Sequence, residues 1–564
     1  MMRHPTLAIC SAIGSIIAAN AAVALPTCAE LATNPAYGLA GNPQVSGVTA
    51  LLLPTGVEPP PFPGFPGSPY TAYCRVDFTF SGESGPSAGY LPGQSQQLKV
   101  RVGLPLNGVD ITSPTAAGAV PWNGNNRDLG GGGYAGAVGG VTSSTNRGYV
   151  GTSTDTGHSA PLGGSFALNP DGTLNVGLIE DFAADGIHEQ HVWGVKLAET
   201  YYGAEPIFKY WMGCSTGGRQ GHYQAQNFPQ DFDGILAGAN AYNWDRFITA
   251  ELWPAVVMNQ EVGAPIASAK LNAVASAAIA ACDGEDGIVD GLIQEPRACT
   301  YSATSFVCTA NGGPSSDPNC LTPPEASAVN KIWDGPRDAS GNRAWYGLER
   351  GASFGGLAGT NPFSIANDHF KYWIHQNASF DWHTVTEASF FGDMLSSIAK
   401  FNDVIGTDDA LKAFRKAGGK MITYHGLNDQ LIPPRGTYHY YNRVLQGNYR
   451  ETQTFYRFFP YPGNAHCGGG AGPQINAEAL FSTLVNWVES GAEPDHVVAS
   501  QTSPARTRKI CMYPNVPVYN GSGSTDDQAN FHCEARKKDD LIGELEIGKQ
   551  FETSTKAMTD PSPD

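Results

Sequence analysis

Apolar and polar positions alternate over residues 98–104, where Leu98, Val100, Val102 and Leu104 interleave with Lys99, Arg101 and Gly103. A period of two predicts a half-buried strand. Shorter apolar runs predict strands at residues 149–153, 207–212, 421–424 and 455–459, and Asp231-Phe232-Asp233-Gly234-Ile235 opens another. Two segments follow the helical period instead. Residues 477–489 put Leu480, Leu484 and Val488 on one stripe, with Asn476 placed to cap the start and Gly491 the end. Residues 266–281 are alanine-rich, with Pro265 suited to a first turn. From about Trp244 to Lys416 the character changes to cysteines, Gly/Ser/Asp loops and aromatics, including Trp333, Trp345, Phe354, Phe363, Trp373 and Trp382. This predicts a domain inserted between two parts of a sheet. After Ala535 the chain is mostly charged and polar, beginning Arg536-Lys537-Lys538-Asp539-Asp540, and is expected to be a disordered tail.

One stretch brings chemistry to this pattern. Gly213-Cys214-Ser215-Thr216-Gly217 has the form G-x-S-x-G, follows the strand at 207–212 and leads into a segment of helical character. A serine on a tight strand-to-helix turn is how α/β-hydrolases expose a nucleophilic hydroxyl. The expected fold is therefore α/β, of the α/β-hydrolase type with a large inserted lid domain. The segments are 1–24 as a signal peptide, 25–243 with 417–534 as the catalytic domain, 244–416 as the lid, and 535–564 as the tail.

A serine hydroxyl needs a base within hydrogen-bond reach, and the base needs an orienting acid. In this fold the order is serine, acid, histidine. Asp429 falls in the loop after the strand at 421–424, and His466 in the loop after the strand at 455–459. Ser215, Asp429 and His466 thus stand in the right order. His158, His188 and His191 precede the serine, and His425 shares the acid loop, where it reads as structural. The residue after the nucleophile, Thr216, supplies one backbone N–H for an oxyanion. Gly130-Gly131-Gly132-Gly133, well ahead of the serine, supplies a second, most simply from Gly132, with Gly131 and Gly133 as alternatives.

Composition narrows the class. The formal charge is −18 and the 34 lysines and arginines form no long run, which argues against a nucleic-acid or anionic-membrane partner. Arg3 and His4, the apolar residues 7–18 and Ala22-Val23-Ala24 read as a secretory signal, so the expected location is extracellular. Ten cysteines then remain, an even number suited to full pairing in a secreted chain. Spacing favours Cys28 with Cys74, Cys282 with Cys299, Cys308 with Cys320 and Cys511 with Cys533, leaving Cys214 and Cys467; spacing alone does not prove the connectivity. Asn377 and Asn520 begin N-glycosylation sequons. Cys282-Asp283-Gly284-Glu285-Asp286-Gly287-Ile288-Val289-Asp290-Gly291-Leu292 sets aspartates three and four apart. Such a loop suits Ca²⁺ or is simply solvated; it is not an EF-hand.

Cys214-Ser215, Asp429 and His466-Cys467 together resemble the tannase and feruloyl esterase family, known for cysteines beside the serine and the histidine that bond to each other. The likeness extends to Trp122-Asn123-Gly124 with the glycine-rich loop, Asp155-Thr156-Gly157-His158, Asp231 to Ile235, and the Cys511 to Cys533 region, and is greatest to fungal feruloyl esterases of the B type. It implies a secreted serine esterase acting on aromatic carboxylic esters through an acyl-serine, with feruloylated plant-wall polysaccharide as the substrate. It also implies a Cys214–Cys467 disulfide joining the two catalytic loops. A structural calcium ion is implied at Asp283, Asp286 and Asp290 with the carbonyls of Ile288 and Leu292. The alternatives are a tannase acting on galloyl esters, a catalytically inactive wall-binding protein and a serine peptidase.

Overall fold

The computed structural model describes residues 25–552 apart from 59–67, 309–315, 408–410, 446–447 and 536–541. The expected signal, residues 1–24, lies outside the described residues. Nine strands form the main sheet: β1 (Val45–Leu53), β2 (Tyr73–Phe80), β3 (Leu98–Pro105), β4 (Asn126–Leu129), β5 (Val150–Thr154), β6 (Lys209–Cys214), β7 (Gly234–Gly238), β8 (Lys420–Gly426) and β9 (Tyr456–Tyr461). Their order across the sheet is β1-β2-β3-β5-β4-β6-β7-β8-β9. The pairings from β1 through β3 to β5 are antiparallel, and those from β5 onward are parallel.

The period of two sorts the parallel strands onto two cores. Trp211, Ile235, Met421 and Phe458 face a cluster with Tyr438 and Tyr441 from the helix Arg435–Leu445. Their neighbours Tyr210, Leu236, Ile422 and Phe459 pack on Leu480, Phe481, Leu484 and Trp487 of the helix Ala477–Ser490. That helix has the predicted caps, with Asn476 accepting from the Ala479 N–H and Gly491 left-handed at φ 72°. The helix in the insertion starts later than expected. Ala267 is extended and caps Ser268–Cys282, so Pro265 lies before the first turn.

β4 carried no apolar pattern, yet it is buried. Arg127 reaches Ser144 at 3.0 Å and Glu478 at 2.8 Å, while Asp128 accepts from Thr152 at 2.5 Å and pairs with His191 at 2.6 Å. Polar partners replace the apolar contacts that strand patterns are read from.

Residues 239–419 connect β7 to β8, and about half of this connection is helical. Its aromatics are largely core: Trp333, Trp345, Phe354 and Trp373 are all buried in one cluster that also takes in Tyr134 and Phe182. The insertion therefore shares its core with the segment after the glycine-rich loop.

The expectation of a disordered tail fails for residues 542–552. Leu545 and Phe551 are buried in two of the cores. The Leu545 carbonyl accepts from the Tyr346 hydroxyl at 2.6 Å and His439 Nδ1 at 3.1 Å. Arg246 donates to the carbonyls of Phe551 at 2.6 Å and Glu552 at 2.9 Å. Charge in the preceding residues hides these apolar anchors. Residues 536–541 and 553–564 lie outside the described residues.

Candidate active site

Ser215 lies between β6 and the helix Thr216–Asn227, with φ 64° and ψ −125°. A non-glycine residue held there is strained, and such strain persists only where surroundings enforce it. Glycines make the turn possible. A Cβ on Gly213 would meet the Gly217 backbone at 2.5 Å, and one on Gly130 would meet the Gly217 Cα at 2.5 Å. Strand, helix and glycine-rich loop thus converge beside the serine.

Asp429 is fully buried in the loop after β8. Its Oδ1 accepts the N–H groups of Leu431 at 2.8 Å and Ile432 at 2.9 Å; its Oδ2 faces His466 Nδ1 at 2.8 Å and His425 Nε2 at 3.1 Å. Burial works against its charge, but the two histidines and these hydrogen bonds outweigh it and hold the carboxyl far below the ordinary carboxylate range. Burial likewise opposes protonation of His466, and the Asp429 charge overcomes it, raising the imidazole above its ordinary value. With Nδ1–H donated to Asp429, Nε2 of His466 is left to accept a proton.

His425 is more than structural filler, because it touches the acid directly. Its Nδ1 meets the Thr437 hydroxyl at 2.8 Å while Nε2 meets the same Asp429 oxygen that His466 meets, so Thr437 orients a second histidine on the acid. The i, i+4 spacing of His425 and Asp429 across the strand end was the available signal. The other histidines are elsewhere. His158 stacks on Phe166, and burial pushes its pKa down to about 4; His188 pairs with Asp231 and His191 with Asp128.

Cys214 and Cys467 form a disulfide with Cα atoms 6.0 Å apart across 253 positions. The other four bonds join Cys28–Cys74, Cys282–Cys299, Cys308–Cys320 and Cys511–Cys533. The first of these five ties the loops carrying Ser215 and His466. The His466 N–H also donates to Gln430 at 3.1 Å, fixing the base loop to the acid loop.

Ser215, Thr216, His466 and the glycines 130–133 line one cavity of about 540 Å³, walled by Leu162, Trp244, Phe247, Ile248, Phe363 and Ile365 among others. Gly131 is committed, its N–H donating to Gln220 at 3.0 Å. The Gly133 carbonyl accepts the Thr216 hydroxyl at 2.5 Å, which sets the loop against the start of the helix. Gly132 has open space where a Cβ would lie. A second cavity, of about 270 Å³, lies at the acidic loop and the C-terminal hairpins and holds no serine–histidine pair.

A family model described as tannase and feruloyl esterase matches residues 115–534. The chain belongs to the tannase and feruloyl esterase family. It is thereby a carboxylic ester hydrolase. It is 34% identical over 518 residues to a probable feruloyl esterase of Arthroderma benhamiae, covering 87% of this chain and 92% of that protein. Among solved structures, feruloyl esterase B from Aspergillus oryzae superposes with a TM-score of 0.77 at 26% identity, over 90% of this chain and 99% of that one. Tannin acyl hydrolase from Aspergillus niger shares the fold, with a TM-score of 0.75 at 22% identity over 93% and 98% of the two chains.

The acidic loop is compact. Asp283 accepts the N–H groups of Asp290, Gly291 and Leu292, and Asp286 accepts that of Ile288 at 2.9 Å. Asp290 contacts Arg508 and lies 3.5 Å from Arg506. Among the described residues no three His, Cys, Asp or Glu side chains form a ready-made metal cluster. Burial raises the carboxyls of Asp286 and Asp290, and the neighbouring aspartates add to both shifts. Asn377 and Asn520 are exposed. No described helix is long and apolar enough to cross a membrane. Five disulfides accord with an oxidising compartment.

Proposed function

We propose that this chain is a secreted esterase that hydrolyses aromatic carboxylic esters, with hydroxycinnamoyl esters such as the feruloyl groups of plant-wall polysaccharides as substrate. The observation that carries this is that Ser215 and His466 line one largely apolar cavity, with Asp429 bonded to Nδ1 of the imidazole. Ser215 Oγ attacks the ester carbonyl as His466 Nε2 takes its proton. Asp429 fixes the tautomer and stabilises the imidazolium. The N–H groups of Thr216 and Gly132 receive the oxyanion; with Gly131 bonded to Gln220, Gly133 is the remaining alternative in the loop. His466 returns the proton to the leaving alcohol, and water then repeats the sequence on the acyl-serine.

Steady-state rates on methyl ferulate, methyl caffeate and methyl gallate test this. Turnover of the first two above the third is expected, and Ser215→Ala is expected to remove it while leaving the unfolding temperature in place. A dominant gallate rate would make the enzyme a tannase; a rate on none would remove the aromatic-ester reading.

The same proposal includes a structural calcium ion held by Asp283, Asp286 and Asp290 with the carbonyls of Ile288 and Leu292. Three aspartates within eight positions support it, since oxygen ligands at that density suit Ca²⁺. Metal analysis of the purified protein should find calcium, and a chelator should lower the unfolding temperature. Absence of both effects would leave Arg508 and Arg506, not a metal ion, as the charge partners of Asp290. Exposure of Asn377 and Asn520 supports glycosylation at both, which glycosidase treatment and mass measurement would read.

A further inference from the structure

The cavity beside Ser215 has two buried polar groups in its wall that the acyl-transfer steps do not use. Trp244, Phe247, Ile248 and Glu251 all line it, spaced as one stripe of the helix Trp244–Ala250 and its C-terminal cap. Glu251 is 2% exposed, and neither of its carboxyl oxygens has a hydrogen-bond partner. Trp244 is 1% exposed, and its indole N–H is likewise unpartnered. Folded proteins satisfy nearly all such groups, so two of them on one stripe of one pocket wall call for an explanation. The rest of the lining sharpens the point. Among the described residues that line the cavity, Glu251 and His466 alone are ionisable, and His466 is engaged by Asp429.

We propose that Glu251 recognises the phenolic hydroxyl of the bound aromatic acyl group, with the Trp244 indole N–H donating to the adjacent ring oxygen. This rests on the aromatic-ester reading above. A phenol donates one hydrogen bond and accepts others, so its best partner does both. A neutral carboxyl does both, whereas an ionised one only accepts. Burial, and then the charge of Asp429, push the Glu251 carboxyl well above its ordinary value and so toward the neutral form. A ring bearing an oxygen beside the hydroxyl would also satisfy Trp244. An unsubstituted ring would leave both groups unpaired, and a site built to pair a hydroxyl discriminates against the analogue that lacks it.

The test is a pair of esters differing by one hydroxyl, methyl 4-hydroxycinnamate and methyl cinnamate, assayed with wild type, Glu251→Met and Glu251→Gln. Wild type should prefer the hydroxylated ester. Glu251→Met should cut the ratio of the two kcat/KM values by about tenfold or more, with the loss falling mainly on the hydroxylated ester. It should also raise the unfolding temperature, because an unsatisfied buried carboxyl has been replaced by an apolar chain of similar length. Glu251→Gln, whose amide both donates and accepts, should keep part of the preference. Equal losses on both esters, or an unchanged ratio, would reduce Glu251 to a packing residue. If the Met variant does not fold, Glu251→Gln decides: a ratio lowered but still favouring the hydroxylated ester supports the proposal, and an unchanged ratio overturns it. Wild type that turns over both esters equally defeats this inference alone. Wild type inert toward both defeats the aromatic-ester reading itself.

Discussion

His466 carries a pH dependence whose direction follows from its neighbours. The reaction needs the neutral imidazole, and the Asp429 charge raises its pKa above the ordinary 6.5. The kcat/KM of the free enzyme should therefore fall on the acid side with an inflection above that value. Asp429→Asn should move the inflection down and cut kcat by about 10⁴-fold. An inflection unmoved by that change would assign the titration to another group. The stability sign runs the other way for the acid. Asp429 is depressed below its unfolded value of 3.8, so its contribution is complete above that pH and is lost as pH falls through the folded value.

Among the elements, the Cys214–Cys467 bond is the testable one. Replacing both cysteines by alanine should slow kcat by roughly 100-fold if the bond holds nucleophile and base in register, since about 1 Å of misplacement costs that much. Stability should fall by at most about 5–6 kcal/mol, the chain entropy of so long a loop. Loss of stability with kcat intact would show that the bond braces the fold and not the geometry. This clamp, the turn at Ser215 and the order of the three residues were legible in the sequence, because each is written as local residue types: glycines where backbones touch, cysteines beside serine and histidine. β3 was legible because it alternates, whereas β4 was not, because Arg127 and Asp128 are satisfied by partners from distant segments. Glu251 was invisible for a related reason. Only the folded pocket shows that its carboxyl is left without one.

At the scale of the whole molecule, the insertion and residues 542–552 are joined at Arg246. Phe551 is 1% exposed in the core of the insertion, and Phe551→Ala should cost about 3–5 kcal/mol, read as a lower denaturant midpoint. A loss below 1 kcal/mol would mean that residues 542–552 only rest on the surface. Sequence composition concealed this segment, since two apolar anchors among charges form no periodic signal. Its position has a consequence for biosynthesis. Arg246 sits on the same helix as Trp244, Phe247 and Ile248, and its carbonyl partners lie 305 and 306 positions later in the chain. A ribosome must therefore make residue 552 before that helix gains its last restraints. Catalytic competence should appear only after residue 552 has been made, even though Ser215, Asp429 and His466 have all been translated before it.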